Sequence, residues 1–281
     1  MVTKFSEEEK KTMHDIPYIN KGQNIEDYAK PGEIKIDENK SDVTIWSTSD
    51  RKFVCKPPHW RIEGDHAGVK ADIDYTETSV GFFHLGSFEE LPDEGGHAGY
   101  IMHGKAEGTI TINGKTHKFK GYGVHERIII SGTVSDRTEY MGGRGLNWLH
   151  SWSEEFSFYC FKGDVGSDNF TGIVNVGKES FPVENHDGGI EELAYWLDPK
   201  SKLMIPYKWR VWANVPQGRL ESEVWGYGRG YYTWIRKHGT MVVNQYLADS
   251  KSIFTFKDGR VLQAPQMAMI EHMRTLYRQP I

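Results

Sequence analysis

The chain has 281 residues, a formal net charge of −5 and no basic run, which excludes the clustered Lys and Arg that a phosphate-tracking nucleic-acid surface needs. Its longest apolar run, around Ile128, Ile129 and Ile130, is far too short to span a bilayer. Aromatic residues reach 13% beside thirty Gly, a pairing that favours half-buried strands joined by tight turns and suits an aromatic-lined cavity.

Residues 1–42 read as a polar N-terminal lead-in, with Ser6 and the following glutamates able to cap one short helix. The extreme N-terminus is charged (Glu7, Glu8, Glu9, Lys10, Lys11) and lacks the apolar stretch of a signal peptide. Cys55 and Cys160 make no disulfide framework, so a reducing, cytoplasmic setting is expected. From Val43 the pattern changes to short alternating strands, over Val43–Ser47, His59–Glu63 and Val69–Tyr75. Asn113-Gly114 between two alternating runs predicts a type I′ hairpin, because both central residues of that turn need positive φ. A Gly-rich break at 141–146 precedes a second strand series from Trp148, which includes a hairpin at Asp258-Gly259. Residues 266–278 read as one short C-terminal helix, since Met267, Ile270, Met273, Leu276 and Tyr277 fall close to one helical face. If Met267 and Met273 are uncovered there, that face invites a homodimer. The expected fold is mainly β, in two barrel- or sandwich-like halves, 43–145 and 146–281, meeting near 140–150.

The segment Gly121-Tyr-Gly-Val-His-Glu-Arg127 concentrates the chemistry. Strict alternation puts His125 and Arg127 on one face and Glu126 on the other, whereas a bulge at Gly123 moves the three together. Ionisable groups beside the apolar run that follows are costly unless paired, which is how sites with perturbed pKa values arise. His59, His66, His97, His103 and His125 show no zincin spacing and no Cys pair accompanies them, so no metal site is expected. No Gly-x-Ser-x-Gly elbow is present, and Gly226, Gly228 and Gly230 precede no helix that would make a dinucleotide fingerprint. That Gly-rich aromatic stretch reads as a barrel corner.

Trp60-Arg-Ile, Tyr100 before the Gly108–Lys115 hairpin, Gly121-Tyr-Gly-Val-His-Glu126, Trp148-Leu-His-Ser-Trp152, Pro206-Tyr-Lys-Trp-Arg-Val and Trp225-Gly-Tyr-Gly resemble the lipocalin-like superfamily of hydroxyneurosporene synthase (carotenoid hydratase), kievitone hydratase and Diels–Alderases. The resemblance spans roughly residues 45–235 in strand order. It implies two lipocalin-like β halves around an apolar pocket between them, and alkene hydration, dehydration or cyclisation with no organic cofactor. The family pattern continues as acidic-His-Asn-Trp-Gly; here its second His is Arg127 and its Trp is Ile129, while Glu126 keeps the acidic position.

The expected activity is therefore that of a lyase or isomerase acting on a hydrophobic small molecule such as a terpenoid, polyketide or phenolic. His125, Glu126 and Arg127 are the candidate catalytic residues: His125 or Glu126 as the acid, Arg127 for an enolate, carboxylate or phenolate. Trp60, Tyr100, His103, Trp148, His150, Trp152, Trp225 and Tyr227 are the candidate substrate-binding residues. A carrier of an apolar ligand is the alternative, and an interaction domain with exposed aromatics is a third.

Overall fold

The computed structural model describes residues 32–39, 43–66, 68–91, 97–130, 145–163, 170–198, 202–236 and 239–277. The proposed N-terminal helix and the Gly-rich break lie outside them, apart from Gly145 and Leu146 of the break. The described residues form two antiparallel sheets, and the chain divides into two compact units accordingly. No helix among them is long and apolar enough to cross a membrane. Cys55 and Cys160 are both free.

The first unit is a seven-stranded meander in chain order: β1 (Lys35–Asn39), β2 (Val43–Ser47), β3 (Arg51–Lys56), β4 (His59–His66), β5 (Val69–Glu77), β6 (His97–Ile112) and β7 (Lys115–Ile130). The end of the polar lead-in thus contributes the edge strand β1. Asn113 (φ 51°) and Gly114 (φ 76°) close the β6–β7 hairpin, because only residues tolerant of the left-handed region can turn this tightly. Cross-strand partners share a face. Trp46, Phe53, Ile62 and Ile73 therefore form one row, and Cys55, Trp60, Tyr75 and Ala106 the next. The reverse face of the same strands is charged, with Arg61 bound to Glu63, Asp72 and Asp74. On β4 and β5, alternation thus separates an aromatic face from a saline one.

Tyr75 explains the small residues opposite it. A Cβ on Gly104 would collide with the Tyr75 ring and the Thr76 carbonyl, and one on Gly123 would press the same ring at 3.3 Å. Gly104→Ala is expected to cost about 1–3 kcal/mol in urea denaturation, the usual penalty of overpacking. An unchanged midpoint would mean that Tyr75 does not need that space.

The second unit is a nine-stranded sheet built from β8 (Gly145–Trp152), β9 (Phe156–Gly163), β10 (Phe170–Val176), β11 (Glu179–Val183), β12 (Gly188–Leu197), β13 (Met204–Val215), β14 (Gly218–Arg236), β15 (Gly239–Phe256) and β16 (Val261–Tyr277). Their order is β11-β10-β9-β8-β16-β15-β14-β13-β12. The sheet curls until β12 returns against β9 and β10, where Lys162 Nζ donates to the Ile190 carbonyl at 3.5 Å. Leu149, Phe158, Cys160, Trp209, Val224, Tyr246 and Ile270 fill the enclosed core. Fully burying a large aliphatic or aromatic side chain of this kind contributes about 1.5–3 kcal/mol.

Two sequence expectations are corrected here. Residues 266–277 are not a helix but most of β16, paired with β15 along its length and with β8 over Met267–Arg274. The residues that face the core are Ala264, Ala268 and Ile270, a two-residue period that the helical reading overlooked. The Trp225-Gly-Tyr-Gly stretch is not a turn either. It is a register shift between Gly226 and Gly228 inside the unbroken strand β14.

Candidate active site

On the aromatic face of the seven-stranded sheet, one carboxylate stands among rings. Glu77, the last residue of β5, accepts a hydrogen bond from Trp60 Nε1 at 2.6 Å, and its Oε1 lies 3.0 Å from His125 Nδ1. The Glu77 side chain is 8% exposed and that of His125 is 18% exposed. A carboxylate at Nδ1 holds that nitrogen protonated, so Nε2 is left to take up or release a proton. The imidazole is set by edge-on contacts with Trp60 (4.2 Å between centroids) and Tyr100 (5.4 Å). Its backbone N–H donates to Tyr75 Oη at 3.1 Å, and Tyr75 in turn donates to the Met102 carbonyl at 2.9 Å. Burial pushes the Tyr75 phenol well up, so it stays a neutral structural donor.

Beside this pair lies a cationic subsite. The two-residue hairpin places Tyr100 opposite Arg127, consistent with Gly99 lying against Ile128. Arg127 sits 5.8 Å from the Phe88 ring centroid, beside the Tyr100 phenol. Burial raises the Tyr100 phenol pKa, with the guanidinium opposing the shift. Phe83, Phe88 and Tyr100 pack edge-on with all three centroid separations at 5.8 Å. Cys55 completes the face, its thiol pKa raised by burial and then by the Glu77 charge. The arrangement sets an imidazole–carboxylate pair among aromatic rings, with an exposed cation beside it. Among the described residues no cluster of His, Cys, Asp and Glu is arranged to hold a metal ion.

The sequence-predicted residues divide. His125, Arg127, Trp60 and Tyr100 come together here, as strict alternation requires. Glu126 points to the opposite face of β7, where its Oε1 lies 3.3 Å from His84 Nε2. His103 also lies on that reverse face of β6, fully buried, with its pKa held at about 3 by desolvation. Trp148, His150, Trp152, Trp225 and Tyr227 belong to the nine-stranded unit. There the His150 ring stacks on Trp152 (5.5 Å, 7° between planes) and meets Trp148 and Tyr159 at 5.2 and 4.9 Å. Trp225 is half-buried, paired across the sheet with Lys208 and Asp249, and Tyr227 occupies the register shift.

Glu77 escaped the sequence reading although a signal existed. Continuing the alternation of β5 from Ile73 and Tyr75 places Glu77 on the same apolar face, where an acid is costly without partners. A second polar group also went unnoticed, inside the nine-stranded unit. Arg229 Nη2 lies 3.1 Å from Asp198 Oδ2, with the two side chains 1% and 0% exposed. Arg229 Nε donates to Asn244 Oδ1 at 2.9 Å, and the Trp196 and Tyr231 rings flank the guanidinium. Nearby, Glu192 accepts from Asn147 Nδ2 at 2.8 Å and Arg274 Nη2 at 3.0 Å.

Comparison with solved structures returns likenesses over most of the chain. Kievitone hydratase from Nectria haematococca matches at 11% identity and a TM-score of 0.48, over 82% of this chain and 70% of that one. A putative AttH from Nitrosomonas europaea matches at 11% identity and a TM-score of 0.51, over 81% and 69%. CghA, solved with Sch210972, matches at 8% identity and a TM-score of 0.56, over 86% and 74%. No protein-family model and no curated protein matches the sequence. The fold is lipocalin-like, in agreement with the fold that the resemblance read from the sequence implied. At these identities the likeness concerns the fold alone, and the chemistry rests on the residues.

Proposed function

We propose that the protein is a lyase or isomerase that moves a proton on a hydrophobic small molecule by acid/base catalysis. The observation that carries this reading is the Glu77–His125 pair, a nearly buried carboxylate holding an imidazole among aromatic rings. His125 Nε2 takes the proton from the substrate, or gives it, while Glu77 stabilises the imidazolium that forms. Arg127 and Tyr100 receive the oxygen on which negative charge develops, so an enolisable, phenolic or carboxylate-bearing ligand suits the site. Trp60, Phe83 and Phe88 supply the apolar walls. The acid role expected of Glu126 passes to this pair, because Glu126 faces the other way.

A second reading, a carrier of an apolar ligand, is favoured by the cleft lined with Ile34, Trp46 and Phe53 on the same sheet. One experiment separates the two. Small molecules extracted from the source cells are incubated with wild type and Glu77→Gln, then profiled by liquid chromatography and mass spectrometry. The enzyme reading expects a species that disappears with wild type alone. Its product would have either an equal mass, for isomerisation or cyclisation, or a mass differing by one water. Ligand retained unchanged by both proteins would establish the carrier and retire the catalytic assignment.

A further inference from the structure

The site occupies one face of β7, and the reverse face carries the His84–Glu126 pair that the proposed reaction leaves unused. The two side chains are 2% and 19% exposed. His84 belongs to the segment that follows β5 and runs into the short 3-10 turn Phe88–Glu90. That segment also supplies Phe83 and Phe88, the outer wall of the site. Its backbone is tied to β6, where Phe82 and Ile101 exchange hydrogen bonds at 2.9 and 3.0 Å and Leu85 and Gly86 bond to Gly99. His84 reaches across to Glu126 of β7.

We propose that His84 is a positioning residue, a clamp on the reverse of β7 that keeps the buried Glu126 carboxylate from prising the Phe83–Phe88 wall off Tyr100 and Arg127. The surroundings make the pair interdependent. Val124 and Ile128 flank Glu126 on β7, Ile101 lies opposite on β6, and the neighbouring His103 is uncharged. Among the described residues His84 is therefore the ionisable group that faces this carboxylate. Burial raises the Glu126 pKa and the His84 ring, 3.3 Å away, opposes the shift, so the ionised carboxylate is tolerated there only with its partner. A carboxyl whose pKa is raised when the segment is closed binds its proton more tightly closed than open. Closure is then strongest below that pKa and weakens as pH rises through it.

The clamp concerns the wall of the site proposed above, but its test needs no substrate, so the two ideas fail separately. Hydrogen exchange of the full chain is followed by mass spectrometry in peptides covering residues 79–91, corrected for intrinsic rates. At pH 8, His84→Ala is expected to speed exchange of this segment by about ten-fold or more, because local opening solvates the stranded carboxylate. His84→Ala with Glu126→Gln is expected to return it to within about three-fold of wild type, since no buried charge remains. Glu126→Gln alone should exchange no faster than wild type and should flatten the pH dependence. Peptides from β13 report the integrity of the rest of the fold. Unchanged protection in His84→Ala would overturn the clamp. So would a double variant as loose as His84→Ala, which would assign the effect to lost packing, or an equal loss of protection in β13.

Discussion

Glu77→Gln is expected to lower turnover by about 10²–10⁴-fold, the range over which positioned acid/base groups contribute. Glutamine keeps the shape and one acceptor oxygen, so Trp60 can still donate. What it lacks is charge. His125 then has no anion to hold Nδ1 protonated or to stabilise the imidazolium, and the nitrogen facing the site no longer has a defined proton. His125→Ala should fall to a similar level. The double variant should be little worse than either single one, because groups that act as a unit are strongly non-additive. Measurement on the substrate found by the extract experiment decides it. Turnover within two-fold of wild type in Glu77→Gln would reduce the pair to a structural ion pair.

The largest effect on stability is expected at the opposite end of the chain. Arg229→Met strands the fully buried Asp198 carboxylate, and breaking a buried pair in this way costs about 3–5 kcal/mol. The loss is compounded because Arg229 also donates to Asn244, and Asp198 closes the turn after β12 through backbone bonds with Leu203 and Lys202 at 2.8 Å. Against a typical total of about 5–15 kcal/mol, this would leave the domain marginal. Arg229→Met with Asp198→Leu should recover most of the loss, since apolar residues of similar volume replace buried pairs at little net cost. Urea denaturation of the three proteins reads the result directly. If Arg229→Met is no less stable than the double variant, the pair contributes nothing by its charge.

The legible parts of this protein were those whose cause is local. Asn113-Gly114 turns as written because positive φ is a property of the two residues themselves, and the strands flanking it follow from alternation. The separation of His125 and Arg127 from Glu126 was equally readable, since a strand's period of two needs no partner to be true. Residues 266–277 show the limit. Their apolar residues fit a helical face nearly as well as a strand, and the strand prevails because β8 and β15 offer hydrogen bonds on both sides. That choice depends on chain more than a hundred residues away for β8. Local propensity is worth tenths of a kcal/mol per residue, and it yields to pairing and burial on that scale.

The sequence by itself therefore determined the β class, the turns, the two faces of β7 and the wealth of aromatics from which a site could be built. Only the tertiary structure decided that Glu77 is the partner of His125 across 48 positions, that Glu126 meets His84 behind the site, and that Asp198 meets Arg229 inside the second unit. The physical reason is the same in each case. A charge in an apolar setting must find a counter-charge or hydrogen-bond partner, but which one it finds is set by sheet register, and register is a property of the whole packed chain.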